Sequence, residues 1–132
     1  MKKLVLLNLI LISCYTINLK KLTKETPYGI YLREAQKAIN VNDYNSALKA
    51  YEKMIQNFDH NPNIVATGKY EIAFIYYTIN KTEKAKKIFE ELIKNKAEMP
   101  KWIKPLAKKI LNKMENKNLK NKIFTGILFH KL

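Results

Sequence analysis

Two short stretches of the chain decide its fold: residues 44–51 read YNSALKAY, and residues 82–89 read TEKAKKIF. The two stretches lie 38 residues apart, and each has alanine at its fourth position and an aromatic residue at its eighth. A small residue lets two helices cross closely, and an aromatic side chain one turn later fills the neighbouring gap. The repeated pattern therefore predicts repeated pairs of packed helices.

Further alanines follow the same register. Ala35 and Ala73 are also 38 residues apart, and Ala73 and Ala107 are 34 apart. A period of about 34 residues, with small residues at two fixed points and an aromatic after the second, is typical of tetratricopeptide repeats. Four extra residues would fall in the connection at residues 58–63, where insertions are tolerated. The alternative is a generic helical bundle in which the spacing is accidental.

Helix boundaries are well marked in residues 27–117, which we expect to form the repeat domain. Pro27, Pro62 and Pro100 stand near first turns, and Asp43 and Thr82 are predicted N-caps. The turns between helices are short, so consecutive helices should pack as antiparallel hairpins. The predicted fold is all-α, a tetratricopeptide-type α-solenoid of about two helical hairpins plus a capping helix.

The capping helix should run from about residue 100 to 116, although Pro105 lies inside it. A proline there means that the helix is kinked or begins at Lys104. Its apolar residues form one stripe suited to closing the stack: Ile103, Leu106, Ala107, Ile110 and Met114. Residues 118–132 are predicted to be a C-terminal tail, which either packs back on the cap or binds a partner.

The chain opens with a signal-like segment. Lys2 and Lys3 precede an apolar run at residues 4–12, which is too short to span a bilayer. The run ends LISC, with the cysteine at Cys14, and resembles the lipobox of bacterial lipoproteins, in the relaxed form found in spirochaetes. We therefore expect residues 1–13 to be a lipoprotein signal peptide, Cys14 to carry the lipid and residues 14–26 to be a lipidated tether. An ordinary signal peptide or an apolar helix with a chance cysteine is the alternative.

The charge of +14 first suggests nucleic acid, but of 25 basic residues only Arg33 is arginine. Nucleic-acid binders favour the planar guanidinium group, so a lysine-rich surface near anionic lipid headgroups is the better interpretation. Cys14, His60 and His130 offer too few ligands for a metal site. No nucleophile–base set or glycine-rich phosphate loop is present. We expect no nucleic acid, no metal, no cofactor and no enzymatic activity.

The chain also resembles the BamD family, outer-membrane lipoproteins of the β-barrel assembly machinery. The resemblance covers residues 31 to about 95 and rests on three stretches: YLREAQ at 31–36, DYNSA at 43–47 and YEIAFIYY at 70–77. It implies a component of that machinery, lipid-anchored at the periplasmic face of the outer membrane. The implied partners are the barrel-forming subunit and unfolded outer-membrane proteins. The family carries more repeats than this chain does.

The first helix of each hairpin should line a concave surface. By register with the alanines, that surface is predicted to carry Leu32, Gln36, Ile39, Tyr70, Phe74, Tyr77, Lys104 and Lys108. The resemblance implies a ligand for it, an extended peptide ending in an aromatic residue and a carboxylate. An aromatic stripe at helical spacing can equally be core. The alternative functions are a structural scaffold or a general periplasmic adaptor lipoprotein unrelated to barrel assembly, and the periplasmic face of the cytoplasmic membrane is the alternative location.

Overall fold

The computed structural model describes residues 17–129, and side chains as far as residue 121. Cys14 and the predicted signal peptide lie outside this part of the chain. Within it there are helices and no strands. The helices are a short 3-10 helix (Leu19–Lys21), α1 (Tyr28–Asn40), α2 (Tyr44–Asn57), α3 (Pro62–Thr78), α4 (Thr82–Lys94) and α5 (Ile103–Phe129).

The first four helices form two antiparallel hairpins. Asn57, at the end of α2, donates a hydrogen bond to the Tyr31 hydroxyl near the start of α1. Lys69 of α3 forms an ion pair with Glu91 near the end of α4. Each bond joins positions about equally far from the intervening turn, as antiparallel packing requires. The predicted all-α arrangement of two helical hairpins followed by a further helix is confirmed.

Both hairpins turn through the same backbone motif. Asn42 and Asn80 have φ angles of 60° and 58°, in the left-handed region. At each turn this asparagine and the following residue donate backbone hydrogen bonds to the last turn of the preceding helix: Asn42 and Asp43 to the carbonyls of Ile39 and Ala38, and Asn80 and Lys81 to those of Tyr77 and Tyr76. This is the Schellman arrangement, in which a left-handed residue satisfies carbonyls that the helix leaves free.

The alanines that predicted the repeat are all inside. Ala35, Ala47, Ala73 and Ala85 are each 0% exposed. The aromatic residue that follows each second alanine by one turn is buried as well, Tyr51 on α2 and Phe89 on α4. The spacing of 38 residues therefore corresponds to equivalent depths in two packed hairpins.

The helix starts predicted near Pro27, Asp43 and Pro62 are confirmed, and the cap predicted at Thr82 is wrong. The Asp43 carboxylate accepts from the backbone N–H of Ser46 at 3.1 Å, and the Asn61 side chain caps α3 with Pro62 in its first position. The predicted cap at Thr82 is displaced by one residue. Lys81 occupies the cap position of α4 without a side-chain hydrogen bond, and Thr82 is already helical.

The boundaries predicted for the fifth helix were also wrong. It begins at Ile103, between the two predicted starts, and continues to Phe129 instead of ending near residue 116. Pro105 is its third residue, where a backbone N–H has no partner within a helix, so proline removes no helical hydrogen bond there. Residues 118–129 extend this helix and do not form a separate tail.

Helix α3 lies between two apolar clusters. One side of it, with Ile72 and Ile75, packs on the first hairpin, and the other, with Tyr70 and Ala73, packs on α4 and α5. The second cluster is completed by residues of α4 and α5: Ala85, Phe89, Leu92, Ile103, Ala107, Ile110 and Met114. The third helix therefore joins the hairpins into one stack.

The described part of the predicted tether is not free. Ile17 and Leu22 are 8% and 3% exposed and belong to the first apolar cluster. The Lys53 ammonium of α2 donates to the carbonyl of Leu19 at 2.7 Å, and the Tyr31 hydroxyl donates to the carbonyl of Thr23 at 2.8 Å. Residues 17–26, which we call the N-terminal segment, are thus docked on the first hairpin. The sequence did not predict this docking, because the segment lacks helical periodicity. Two buried side chains are enough to hold so short a segment.

Candidate protein-binding surface

Three aromatic side chains follow one another along α3. The Tyr70 and Phe74 rings are stacked with centroids 6.4 Å apart, and the Phe74 and Tyr77 rings are 6.1 Å apart. Residues at these spacings share one side of a helix. The structure therefore brings together the three aromatic residues that the register assigned to the concave surface.

Trp102 adds a fourth ring that the sequence analysis missed. It lies in the α4–α5 connection, and its ring meets Tyr70 edge-on with centroids 5.0 Å apart. The backbone N–H of Leu106 donates to the Trp102 carbonyl, so these two residues lie one helical turn apart on the same side of α5. The i, i+4 spacing of Trp102 and Leu106 was a signal for this, but the predicted surface was taken by register with the alanines, which selected Lys104 and Lys108 instead.

The outer residues of this cluster are open to solvent. Phe74, Trp102 and Leu106 are 42%, 41% and 40% exposed. A soluble surface seldom carries large apolar side chains grouped in this way, and such groups commonly mark interaction sites. We call Phe74, Tyr77, Trp102 and Leu106 the aromatic surface.

Tyr70 lies beneath this surface and belongs to the core. It is only 8% exposed, and besides Trp102 it contacts Phe89 of α4 edge-on, with centroids 5.7 Å apart. For this one residue the alternative interpretation, that an aromatic stripe is core, describes the structure better. Tyr70 supports Phe74 and Trp102 from below.

The two predicted lysines do not stand beside the aromatic residues. Lys104 donates from its ammonium to the carbonyl of Asn95 at 2.6 Å, which directs it to the α4–α5 connection. Lys108 is exposed and, one turn later, lies on the same side of α5 as Lys104. Trp102 and Leu106 occupy the opposite side of the helix. The predicted positions are two residues from Trp102 and Leu106, and on a helix two residues are a rotation of about 200°, which reverses the side.

The residues predicted on α1 are separate from the aromatic surface. Leu32 and Ile39 are partly buried against the first apolar cluster. Gln36 is exposed, and its side-chain amide donates to the Asn40 side chain at 3.0 Å. None of these three side chains has a ring contact or hydrogen bond with the aromatic surface among those described. The site is therefore concentrated on α3 and the start of α5.

A carboxylate lies beside the aromatic residues. Glu71 of α3 is partly buried, and this burial raises the pKa of its carboxyl group. Burial, and secondarily the nearby Glu71 charge, raises the pKa of Tyr70, and the same two causes raise that of Tyr51 in α2. No ion pair with Glu71 is formed by the residues whose side chains are described. The charge that acts on Tyr70 is therefore negative.

A concavity lies between the N-terminal segment and α1. It has a volume of about 410 Å³ and is lined by Ile17, Asn18, Lys21, Leu22, Thr26, Ile30, Glu34 and Lys37. Glu34 accepts from the Lys37 ammonium at 2.9 Å and has Arg33 at 3.6 Å, so cations surround the one carboxylate in this cleft.

No group of three or more His, Cys, Asp or Glu residues that could hold a metal ion occurs in the described part of the chain. In residues 17–129, no helix combines the length and apolar character needed to cross a membrane.

The comparisons with known proteins returned no match: no protein-family model, no curated protein and no solved structure is significantly similar to this chain.

Proposed function

We propose that this protein is a membrane-anchored lipoprotein that binds other proteins through its aromatic surface. The single observation that carries the proposal is the exposure of Phe74 and Trp102 at 42% and 41%, on a support of buried Tyr70. Aromatic side chains held by a rigid core lose little conformational freedom when they bind. The ligand we propose is an extended segment of a partner protein that inserts apolar or aromatic side chains here.

The expected affinity is modest. Burying one aromatic side chain contributes about 1.5–3 kcal/mol, and ordering an extended segment offsets part of that gain. Two or three such contacts correspond to dissociation constants of about micromolar to millimolar. Binding of this strength suits a partner that is received and released.

Recognition of a terminal carboxylate is not part of this proposal. That expectation depended on lysines beside the rings, and Lys104 instead bonds to the carbonyl of Asn95. The nearby Glu71 would repel a carboxylate. A peptide with an amidated C-terminus should therefore bind at least as well as the same peptide with a free one.

The anchor in this proposal is Cys14, supported by the sequence of residues 1–14. Two lysines, a short apolar run and LISC resemble a lipoprotein signal. The resemblance to the BamD family makes the β-barrel assembly machinery the context we propose, with the protein at the periplasmic face of the outer membrane. The periplasmic face of the cytoplasmic membrane is the alternative location.

A pull-down from mild detergent tests this function, with partners identified by mass spectrometry. The test variant is Phe74→Ala with Trp102→Ala. The control is Tyr28→Ala with Val41→Ala, since these residues are exposed to a similar extent, 46% and 48%, on the first hairpin. We expect the test variant to lose the partner and the control to keep it, both remaining folded by circular dichroism. Recovery of a large β-barrel protein would support the assembly machinery, and retention of every partner by the test variant would overturn the binding site.

A structural scaffold is the second candidate, and the length of α5 favours it. This helix continues to Phe129, well past its last described core contact at Met114, and Leu119 is 58% exposed. A permanent subunit could be held by this extension. Deletion of residues 118–132 should then abolish a complex of fixed stoichiometry, while the Phe74 and Trp102 variant should leave it intact.

A further inference from the structure

The N-terminal segment leaves very little free chain between the fold and the proposed lipid. Ile17 is already buried in the first apolar cluster, and Cys14 is three residues earlier in the sequence. Three residues span at most about 10 Å even when fully extended. A lipid on Cys14 would therefore hold the first hairpin within about that distance of the headgroups.

The charge of the N-terminal segment suits such a position. Lys20, Lys21 and Lys24 are all exposed, and Glu25 is the only acidic residue between Ile17 and Pro27. In the cleft beside the segment, Lys37 and Arg33 both pair with Glu34, which leaves this group with a net positive charge. Clusters of lysine next to a membrane anchor are attracted to anionic lipids, and the attraction falls off within a Debye length.

We propose that the N-terminal segment is a contact surface for anionic phospholipid headgroups, which holds the first hairpin against the bilayer. The proposal rests on the lipid anchorage included in the proposed function. The lipid holds the protein at the bilayer, and the basic patch would determine which side of the first hairpin faces the headgroups. The aromatic surface, on α3 and α5, would then be free to meet partners.

The test uses the full chain purified from membranes and reconstituted in vesicles. One reporter is Gln56→Cys, on the exposed side of α2 one turn from the Lys53 that holds the segment, and the other is Asn112→Cys, exposed on α5. Each is labelled with a thiol-reactive fluorophore, and quenching by nitroxide-headgroup lipids is measured. The vesicles are phosphatidylcholine alone or with about 30% phosphatidylglycerol as the anionic lipid.

We expect quenching of the Gln56→Cys reporter to be stronger in the anionic vesicles than in neutral ones, and to be lost at high salt. Quenching at Asn112→Cys should be weak in both. Changing Lys20, Lys21 and Lys24 to Gln should reduce the signal to that of neutral vesicles. Changing Lys108, Lys109 and Lys113 to Gln removes the same charge from α5 and should leave the signal unchanged.

Equal quenching of the two reporters, or an equal loss in the two triple variants, would overturn the surface contact. The number of labels separates this result from a failure of the anchor, because a lipidated Cys14 has no free thiol. One label per chain with equal quenching overturns only the membrane contact. Two labels per chain overturn the anchorage, and the proposal with it.

Discussion

Gly68 lies so close to Ile55 that a β-carbon at position 68 would be 2.7 Å from the Ile55 Cγ1 atom. The same β-carbon would lie 3.1 Å from the Met54 Cε atom. This is the junction at which α3 of the second hairpin packs on α2 of the first. Ile55 has little room to respond, because a β-branched side chain in a helix is almost confined to one rotamer. Glycine therefore sets the separation of the two hairpins.

Gly68→Ala should destabilise the protein although alanine is the better helix former. Overpacking costs about 1–3 kcal/mol, and the gain in helix propensity is about 1 kcal/mol, so a net loss of about 1 kcal/mol in the free energy of unfolding is expected. Urea denaturation measures it. Gly29→Ala is the control, since nothing lies within 4 Å of its added β-carbon. It should be neutral or slightly stabilising, and equal behaviour of the two variants would contradict the close approach.

The left-handed asparagines make a second prediction. Asn80→Ala places a β-carbon in an unfavourable conformation without the local hydrogen bonding of asparagine, and should cost about 1 kcal/mol. Asn80→Gly should cost little or be stabilising, because glycine adopts positive φ freely. The same pair of changes at Asn42 should give the same order, since its φ angle is nearly identical. Thermal unfolding of the four variants measures this order of stability. An alanine variant as stable as its glycine counterpart would contradict the left-handed conformation at that turn.

The caps of α2 and α4 should differ in importance. Asp43→Ala removes the hydrogen bond to the Ser46 N–H and should cost about 1 kcal/mol, whereas Thr82→Ala removes no cap. The hydrogen bonds from Ser46 lower the pKa of Asp43 below its usual 3.8. The stability it adds is therefore present above pH 3.8 and lost as the pH falls through the folded pKa. Urea unfolding at neutral and acidic pH should show the Asp43→Ala penalty shrinking in acid; a penalty for Thr82→Ala as large would contradict the assignment.

Glu71 should make stability depend on pH in the opposite sense. Its folded pKa is raised above 4.5 by burial, so the folded state binds the proton more tightly than the unfolded chain. The stability from protonation is present below pH 4.5 and is lost as the pH rises through the folded pKa. Glu71→Gln should therefore become more stable than the native protein as the pH rises to neutrality. Glu52→Gln, an exposed change on α2, is the control; a difference between Glu71→Gln and native protein that is constant with pH would contradict the burial.

The alanine register was predictable because it repeats. Ala35 and Ala73, and Ala47 with Ala85, recur at one spacing, and a repeated small residue has few physical explanations other than close helix packing. Gly68 is equally important to packing but was not singled out. Its close contact is with α2 of the other hairpin and not with its own partner helix, so the repeat offers no equivalent glycine in the first hairpin.

The candidate site was predictable only in part, for a geometric reason. Tyr70, Phe74 and Tyr77 lie within a helix whose start is fixed by Asn61, so their shared side followed from helical periodicity. Trp102 and Lys104 lie at a helix start with two nearby prolines, Pro100 and Pro105. There the register taken from the alanines is off by two residues, which changes the side chains expected to face the aromatic residues.

The most direct test of the central claim is site-specific photocrosslinking at the aromatic surface. A benzophenone amino acid in place of Phe74 retains an aromatic side chain at the proposed contact, and the same amino acid in place of Val41 is a control of similar exposure. Position 74 should give a crosslinked partner and position 41 none. Absence of any adduct at position 74, or equal yields from the two positions, would contradict the claim.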